Sequence, residues 1–222
     1  MACWSAENAT KAYLSTLKMG QKAKEPDVAE FISALAAGNN AQLMVVACAG
    51  AANSTILALV AAANQTGGHV ICIVHSLEEI NASRNALGVA AHRVQFVIGE
   101  AQDLLLSQYE SADFVLIDCK LENHEQILRA VEVGGKQNGT VVVGYNAFSK
   151  GSWWSCGSKT QLLPIGEGLL VTKFGETGNG NSPKYGSGMG RSKSRWVVKV
   201  DKCTGEEHVF RVRFPQGKVI HA

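Results

Sequence analysis

From Leu43 to Tyr145 the sequence repeats one pattern five times: a short, near-continuous run of Val, Ile and Leu, with a helix-spaced segment before the next. The strand-like runs are Leu43–Ala47, Val70–Val74, Val94–Ile98, Phe114–Asp118 and Thr140–Tyr145. Segments with helical spacing, Ser54–Asn64, Leu77–Leu87, Ala101–Gln108 and Glu125–Val133, fill the intervals. Strands that are apolar throughout need cover on both faces, and parallel strands need a long crossover; a helix supplies both. The pattern therefore predicts an α/β domain, doubly wound around a mainly parallel, Rossmann-like sheet. Gly134-Gly135 and Asn138-Gly139 supply the turn into the fifth strand.

The flanks add helices before the sheet and hairpins after it. Ala9, Tyr13, Leu14 and Leu17 give Trp4 to Met19 an amphipathic spacing. Pro26 suits a helix first turn, Asp27 and Glu30 suit its positive end, and Gly38-Asn39-Asn40 stops it. Val28, Phe31, Ile32 and Leu35 are its expected buried stripe. Gln161–Ile165 and Leu169–Phe174 flank Gly166-Glu167-Gly168 as an antiparallel hairpin, and Arg195–Val200 with His208–Phe214 form a second. The expectation is a single domain over 1–222. Its parts are N-terminal helices (1–40), a core sheet (41–174), a flexible, Gly-rich basic loop (175–194) and a C-terminal hairpin (195–222).

Charge is unevenly spread. The net is +2, yet from Lys173 onward there are ten Lys/Arg against four Asp/Glu, leaving 11 against 15 for the rest. A basic end of that size is either a solvated surface or a place for an anionic partner, protein or nucleic acid. The run Gly188-Met-Gly-Arg-Ser-Lys-Ser-Arg195 has the look of a basic arm. Six cysteines are scattered with no C-x-x-C pair, and the N-terminus Met-Ala-Cys-Trp-Ser-Ala-Glu shows no secretory pattern. Both point to a reducing compartment, the cytoplasm or the nucleus. The apolar stretch Leu43 to Ala63 is broken by Gly50 and Asn53-Ser54-Thr55, so strand plus buried helix explains it and no membrane partner is expected.

Strand-helix alternation closed by a hairpin is similar to a class I S-adenosylmethionine (SAM)-dependent methyltransferase, in detail to the small metal-dependent O-methyltransferases that include the caffeoyl-CoA enzymes. Asp27 to Thr55 resembles that group's helix, first strand and glycine turn. Val94–Ala101, with Gly99-Glu100-Ala101, resembles its third strand and turn. Phe114–His124 and Gly144-Tyr145-Asn146 resemble its fourth strand and fifth loop, and Leu163-Pro-Ile-Gly-Glu-Gly168 its last hairpin. The chain also resembles, over nearly its whole length, a plant family of methyltransferase-like domains of unknown function.

The resemblance implies a cofactor site at Ala49, Gly50, Ser54, His75, Glu100, Ala101 and Asp118, with the catalytic residues unassigned. It also exposes departures. The acidic position of the first strand falls on Val46, and the flanking glycines of the turn on Cys48 and Ala52. The second strand, whose terminal carboxylate accepts the ribose hydroxyls in this group, ends here on Val74-His75-Ser76. A neutral His75 accepts one hydrogen bond and cannot accept bidentately. The group's cation rests on an aspartate after strand four and an Asp-Asn pair after strand five. Asp118 fills the first role, but the pair reads Asn146-Ala147 and the neighbouring aspartate position is Lys120. No metal is expected there; Lys120 is expected to pair with Asp118. His69, His92, His124, His208 and His221 show no metal-ligand spacing. Trp153-Trp154 sits where a substrate lid would lie, either as core or as a stacking surface.

Two functions follow from these residues. One is a methyltransferase-like protein with a weak SAM site, metal-independent if active. The other is a pseudo-enzyme, a non-catalytic module binding an anionic protein or nucleic acid. A small-molecule partner and a dimer fit the first.

Overall fold

The structure is a computed structural model that describes residues 4–19, 28–52, 54–134, 139–149, 160–174, 194–200 and 207–213. The Trp153-Trp154 pair and the expected loop at 175–194 lie outside the described residues. The chain divides into two compact units, Met1–Thr177 and Gly178–Ala222.

In the first unit, α1 (Ala6–Met19) and α2 (Val28–Gly38) lead into β1 (Leu43–Ala47) and α3 (Ser54–Thr66). Then come β2 (His69–Val74), α4 (Leu77–Leu87), a short 3₁₀ segment (Gly88–Arg93), β3 (Val94–Ile98) and α5 (Ala101–Leu106). β4 (Phe114–Asp118), α6 (His124–Gly134), β5 (Val141–Tyr145) and the hairpin β6 (Gln161–Leu163) and β7 (Leu169–Lys173) complete it. The seven strands run in the order β3-β2-β1-β4-β5-β7-β6. β1 and β2 are parallel neighbours, Leu43 opposite His69 through Ala47 opposite Ile73. β7 is antiparallel to both β5 and β6. The expected doubly wound sheet is therefore the observed one.

Alternate residues of each strand feed two cores. Met44, Val46, Cys72, Leu116 and Val143 face Ile32, Ala36, Ile56, Leu59 and Ile80 from α2, α3 and α4. Val45, Ala47, Ile71, Ile73, Val115 and Ile117 face Leu105, Ile127, Leu128 and Val131 from α5 and α6. The strand order reverses between β1 and β4, so the crevice of the sheet lies at their carboxyl ends. The opposite edge is clamped: Asp113, just before β4, accepts the Gln42 and Leu43 backbone N–H groups at 2.8 and 3.0 Å.

Ser76 caps α4 by accepting the Glu79 N–H at 3.2 Å, while Glu79 reaches back to the His75 N–H at 2.9 Å. α4 ends at Gly88, whose φ of +55° suits a residue without Cβ. α5 stops at Leu106 rather than near Gln108, and the Ser107 hydroxyl there bonds back to the Asp103 carbonyl at 2.7 Å. No helix among the described residues is long and apolar enough to cross a membrane. In the second unit, β8 (Ser194–Val200) and β9 (Glu207–Arg213) form a separate two-stranded antiparallel sheet.

Candidate functional site

The carboxyl edge of the sheet holds a shallow cleft, partly open to solvent. Ala47 and Cys48 from the end of β1, Ile73 and His75 from β2, Ala101 from α5, and Leu121 and Asn123 ahead of α6 line it. Of the residues expected at a cofactor, His75 and Ala101 are in its wall; Ala49, Gly50, Ser54, Glu100 and Asp118 are not. Glu100 nonetheless comes close, its Oε1 3.9 Å from His75 Nδ1, with both side chains largely exposed. At that distance in water the pair contributes little stability. Its meaning is positional: register between β2 and β3, with Val74 opposite Ile98, brings the two strand ends to one lip.

The turn after β1 is held by a residue that the sequence reading missed. Ala52 N–H donates to Ser83 Oγ at 2.8 Å, and Ser83 Oγ donates to the Glu79 carbonyl at 2.6 Å. The buried serine ties the would-be glycine turn to α4. The signal was present, since Ser83 falls in the helical stripe of Ile80 and Leu87. Gly50 has open space around it, so this turn makes no steric demand for glycine there. Glu79, the carboxylate nearest the end of β2 apart from Glu78, is engaged in capping α4.

Asp118, at the end of β4, is buried inside a hydrogen-bond network. Its Oδ1 accepts the Lys120 backbone N–H at 3.0 Å and the Asn146 amide Nδ2 at 2.9 Å. Burial, together with the Asp118 charge, bears on the neighbouring Tyr145 phenol and raises it. Pairing of Asp118 with Tyr145 across β4 and β5 makes this closure possible. The expected ion pair is thus corrected: the Lys120 backbone, not its ammonium, holds the carboxylate. Asn146 sits at φ +60°, a left-handed conformation that asparagine tolerates better than most residues.

The nearby nucleophiles are kept neutral. Cys48 Sγ lies 3.6 Å from Cys72 Sγ, and that contact, with burial, pushes the Cys48 thiol well above its ordinary range. Burial, helped by the Asp118 charge, pushes Cys119 up to about 12. Burial likewise raises the Tyr145 phenol. None of these groups supplies an ionised nucleophile or base near neutral pH. His124 is buried at the start of α6; its Nδ1–H donates to the Leu121 carbonyl at 2.7 Å, and its Nε2 has no hydrogen-bond partner among the described residues.

A divalent cation does not fit the Asp118 corner. Hard cations need several oxygens, yet the groups turned toward Asp118 Oδ1 are two N–H donors, the Lys120 backbone and the Asn146 amide. Among the described residues no cluster of three or more His, Cys, Asp or Glu stands ready to hold a metal. Mg²⁺, Mn²⁺, Ca²⁺ and chelators are therefore expected to leave the melting temperature unchanged in scanning fluorimetry. The double replacement Asn146→Asp with Ala147→Asn is expected to create a cation-dependent rise; a rise in the unaltered protein would overturn this account.

No curated protein matches the sequence. Solved structures do match. A methyltransferase of Podospora anserina, solved with SAH bound, aligns over 79% of this chain and 91% of its own, with TM-score 0.55 and 14% identity. A putative caffeoyl-CoA O-methyltransferase of Staphylococcus aureus aligns over 77% and 93%, with TM-score 0.54 and 15% identity. The O-methyltransferase TomG of Streptomyces achromogenes, involved in tomaymycin synthesis and solved with SAM, aligns over 79% and 93%, with TM-score 0.52 and 17% identity. At such identities the likeness establishes the fold alone, a Rossmann-like α/β sheet that this chain shares with those methyltransferases. Residues 1–212 match the family described as "Protein of unknown function (DUF1442)", and the chain belongs to that family.

Proposed function

We propose that this protein binds SAM weakly at the β1–β2 cleft and that any methyl transfer it performs is independent of metal. The fold supports the cofactor class, because neighbours of the same architecture were solved with SAM or SAH. The observation that carries the weakness is the end of β2. It presents His75 where a carboxylate would accept two ribose hydroxyls, and Glu79 is engaged in capping α4. Replacing a charged, hydrogen-bonded acceptor by a single neutral one costs roughly ten- to a hundred-fold in affinity.

Within this reading His75 and Glu100 hold the sugar edge, and Ala101 and Ile73 meet the base. SAM when bound supplies an electrophilic methyl group. The chain's own thiol at the cleft, Cys48, stays protonated and does not compete for it.

Isothermal calorimetry with SAM and SAH tests the proposal. The expected dissociation constant lies in the hundreds of micromolar or above. Low-micromolar binding would sink the claim of a weakened site. Absence of heat at millimolar ligand would sink the claim of a SAM site altogether.

A further inference from the structure

We infer that Cys48 and Cys72 form a reversible dithiol–disulfide pair that locks the β1–β2 edge of the cleft under oxidising conditions. Both are free thiols, and their Sγ atoms lie 3.6 Å apart. Register sets Val46 opposite Cys72, so Cys48 stands two positions further along the line of β1, and both side chains pack into the same core. Such diagonal neighbours sit near the upper limit of the Cα separation that a disulfide spans, about 7 Å. Closing the sulfurs to a bond of about 2.05 Å therefore draws the ends of β1 and β2 together. Cys48 lines the cleft, so the wall moves with the bond. The Cys48 N–H already donates to the Ile73 carbonyl at 3.3 Å, a long hydrogen bond across the same two strand ends. Disulfides that form only with such an adjustment are the readily reduced, regulatory ones. The lock acts on the cleft wall itself and so stands whether or not the ligand is SAM.

Hydrogen peroxide is the oxidant that fits, being little larger than water. Exposure decides the order of events: Cys48 keeps 4% and Cys72 none. The Cys48 thiolate attacks one peroxide oxygen. An S–O bond forms, the O–O bond breaks, and the departing hydroxide takes up the proton that the thiol released and leaves as water. Cys72 Sγ then attacks the sulfenic sulfur of Cys48. The S–S bond forms, the S–O bond breaks, and the second hydroxide leaves as water with the Cys72 proton. Two thiols and one peroxide thus give one disulfide and two waters, with two electrons passing from the sulfurs to the peroxide oxygens. Contact with Cys72, burial and the Asp118 and Glu79 charges all oppose the Cys48 thiolate. The first step is therefore slow, and the pair answers sustained peroxide rather than traces of it. A dithiol returns the two electrons and two protons and reopens the edge.

Peptide mapping and amide hydrogen exchange on the full chain, before and after hydrogen peroxide, test the inference. Peroxide is expected to link the Cys48 and Cys72 peptides, with a mass loss of about 2 Da that dithiothreitol reverses. Exchange of the Cys48 amide is expected to slow at least about tenfold in the oxidised form and to recover on reduction. Cys119→Ser, just after β4, is expected to keep both responses. Cys72→Ala is expected to abolish both, and Cys48→Ala to do so independently should Cys72→Ala fail to fold. Three results would overturn the inference. One is a link that forms without slowing the Cys48 amide. Another is thiols that stay unlinked or pass on to sulfinic acid. The third is slowing that persists in the Cys72→Ala and Cys48→Ala variants.

Discussion

His75→Asp is expected to tighten SAM binding by roughly ten- to a hundred-fold, the largest gain available from one change in this cleft. The position follows β2 directly, its backbone N–H is already fixed by Glu79 at 2.9 Å, and an aspartate leaves that bond in place. The new carboxylate gains two acceptor oxygens for a vicinal diol, where the imidazole offers one lone pair. Glu100, now 3.9 Å from the ring, becomes a like-charged neighbour and opposes part of the gain. Because both side chains are largely exposed, water and salt screen that repulsion. Glu100→Gln in the same background is therefore expected to add a few-fold more. His75→Asn, a neutral acceptor, is expected to stay close to the unaltered protein. Calorimetry across the four proteins checks the series. Equal affinities for the unaltered protein and the His75→Asp variant would mean that the sugar of the cofactor does not lie at the end of β2.

Gly68→Ala is expected to destabilise the first unit strongly. A Cβ there would stand 2.6 Å from the Ala41 carbonyl oxygen, 2.8 Å from that of Gln42 and 3.0 Å from the Gln42 Cα. All three are backbone atoms, so no side chain can rotate away. They also lie where β1–β2 pairing begins: His69 N–H donates to the Gln42 carbonyl at 2.7 Å, and Thr66 Oγ1 donates to the Ala41 carbonyl at 2.7 Å. Relief requires the start of β1 to move away from β2, which also disturbs the Asp113 clamp on Gln42 and Leu43. Strain of this kind costs about 2–4 kcal/mol, or roughly 5–15 °C in melting temperature for a domain of this size. Gly50→Ala is the matched control, because nothing lies within 4 Å of its Cβ. It is expected to melt within about 1–2 °C of the unaltered protein. Equal melting of the two variants would show that the β1–β2 start is soft.

The parallel strands β1, β2, β4 and β5 were legible because burial on both faces leaves continuous apolar runs: Val45, Val46, Ile71, Cys72, Val115, Leu116, Val142 and Val143 are all buried, so no alternation interrupts them; β3, at the sheet edge, buries only Val94. The short 3₁₀ segment at Gly88–Arg93 was not foreseen, because its residues carry no period and none is buried. At the site, sequence reading found His75 and Glu100 individually. Their approach depends on the β2–β3 register, which sits between residues 25 positions apart and leaves no local sign. The same holds for Asp118. Its aspartate was visible, but the Asn146 and Lys120 groups that satisfy it converge only once β4 and β5 pair. Ser83 was missed for another reason: a serine in a helical stripe reads as neutral, and its value lies in the turn it holds from another element.

The Cys48–Cys72 pair also carries a kinetic consequence. Both sulfurs are buried, 3.6 Å apart at the head of the two strands that define the cleft, and the Cys48 thiol resists ionisation. Iodoacetamide can alkylate them only during excursions in which the ends of β1 and β2 part and water enters. Their modification rate, read by mass spectrometry at Cys48 and Cys72, is then a stopwatch for the breathing of this one edge. A ligand seated in the cleft slows that stopwatch, and one bound elsewhere on the chain leaves it running at the same pace.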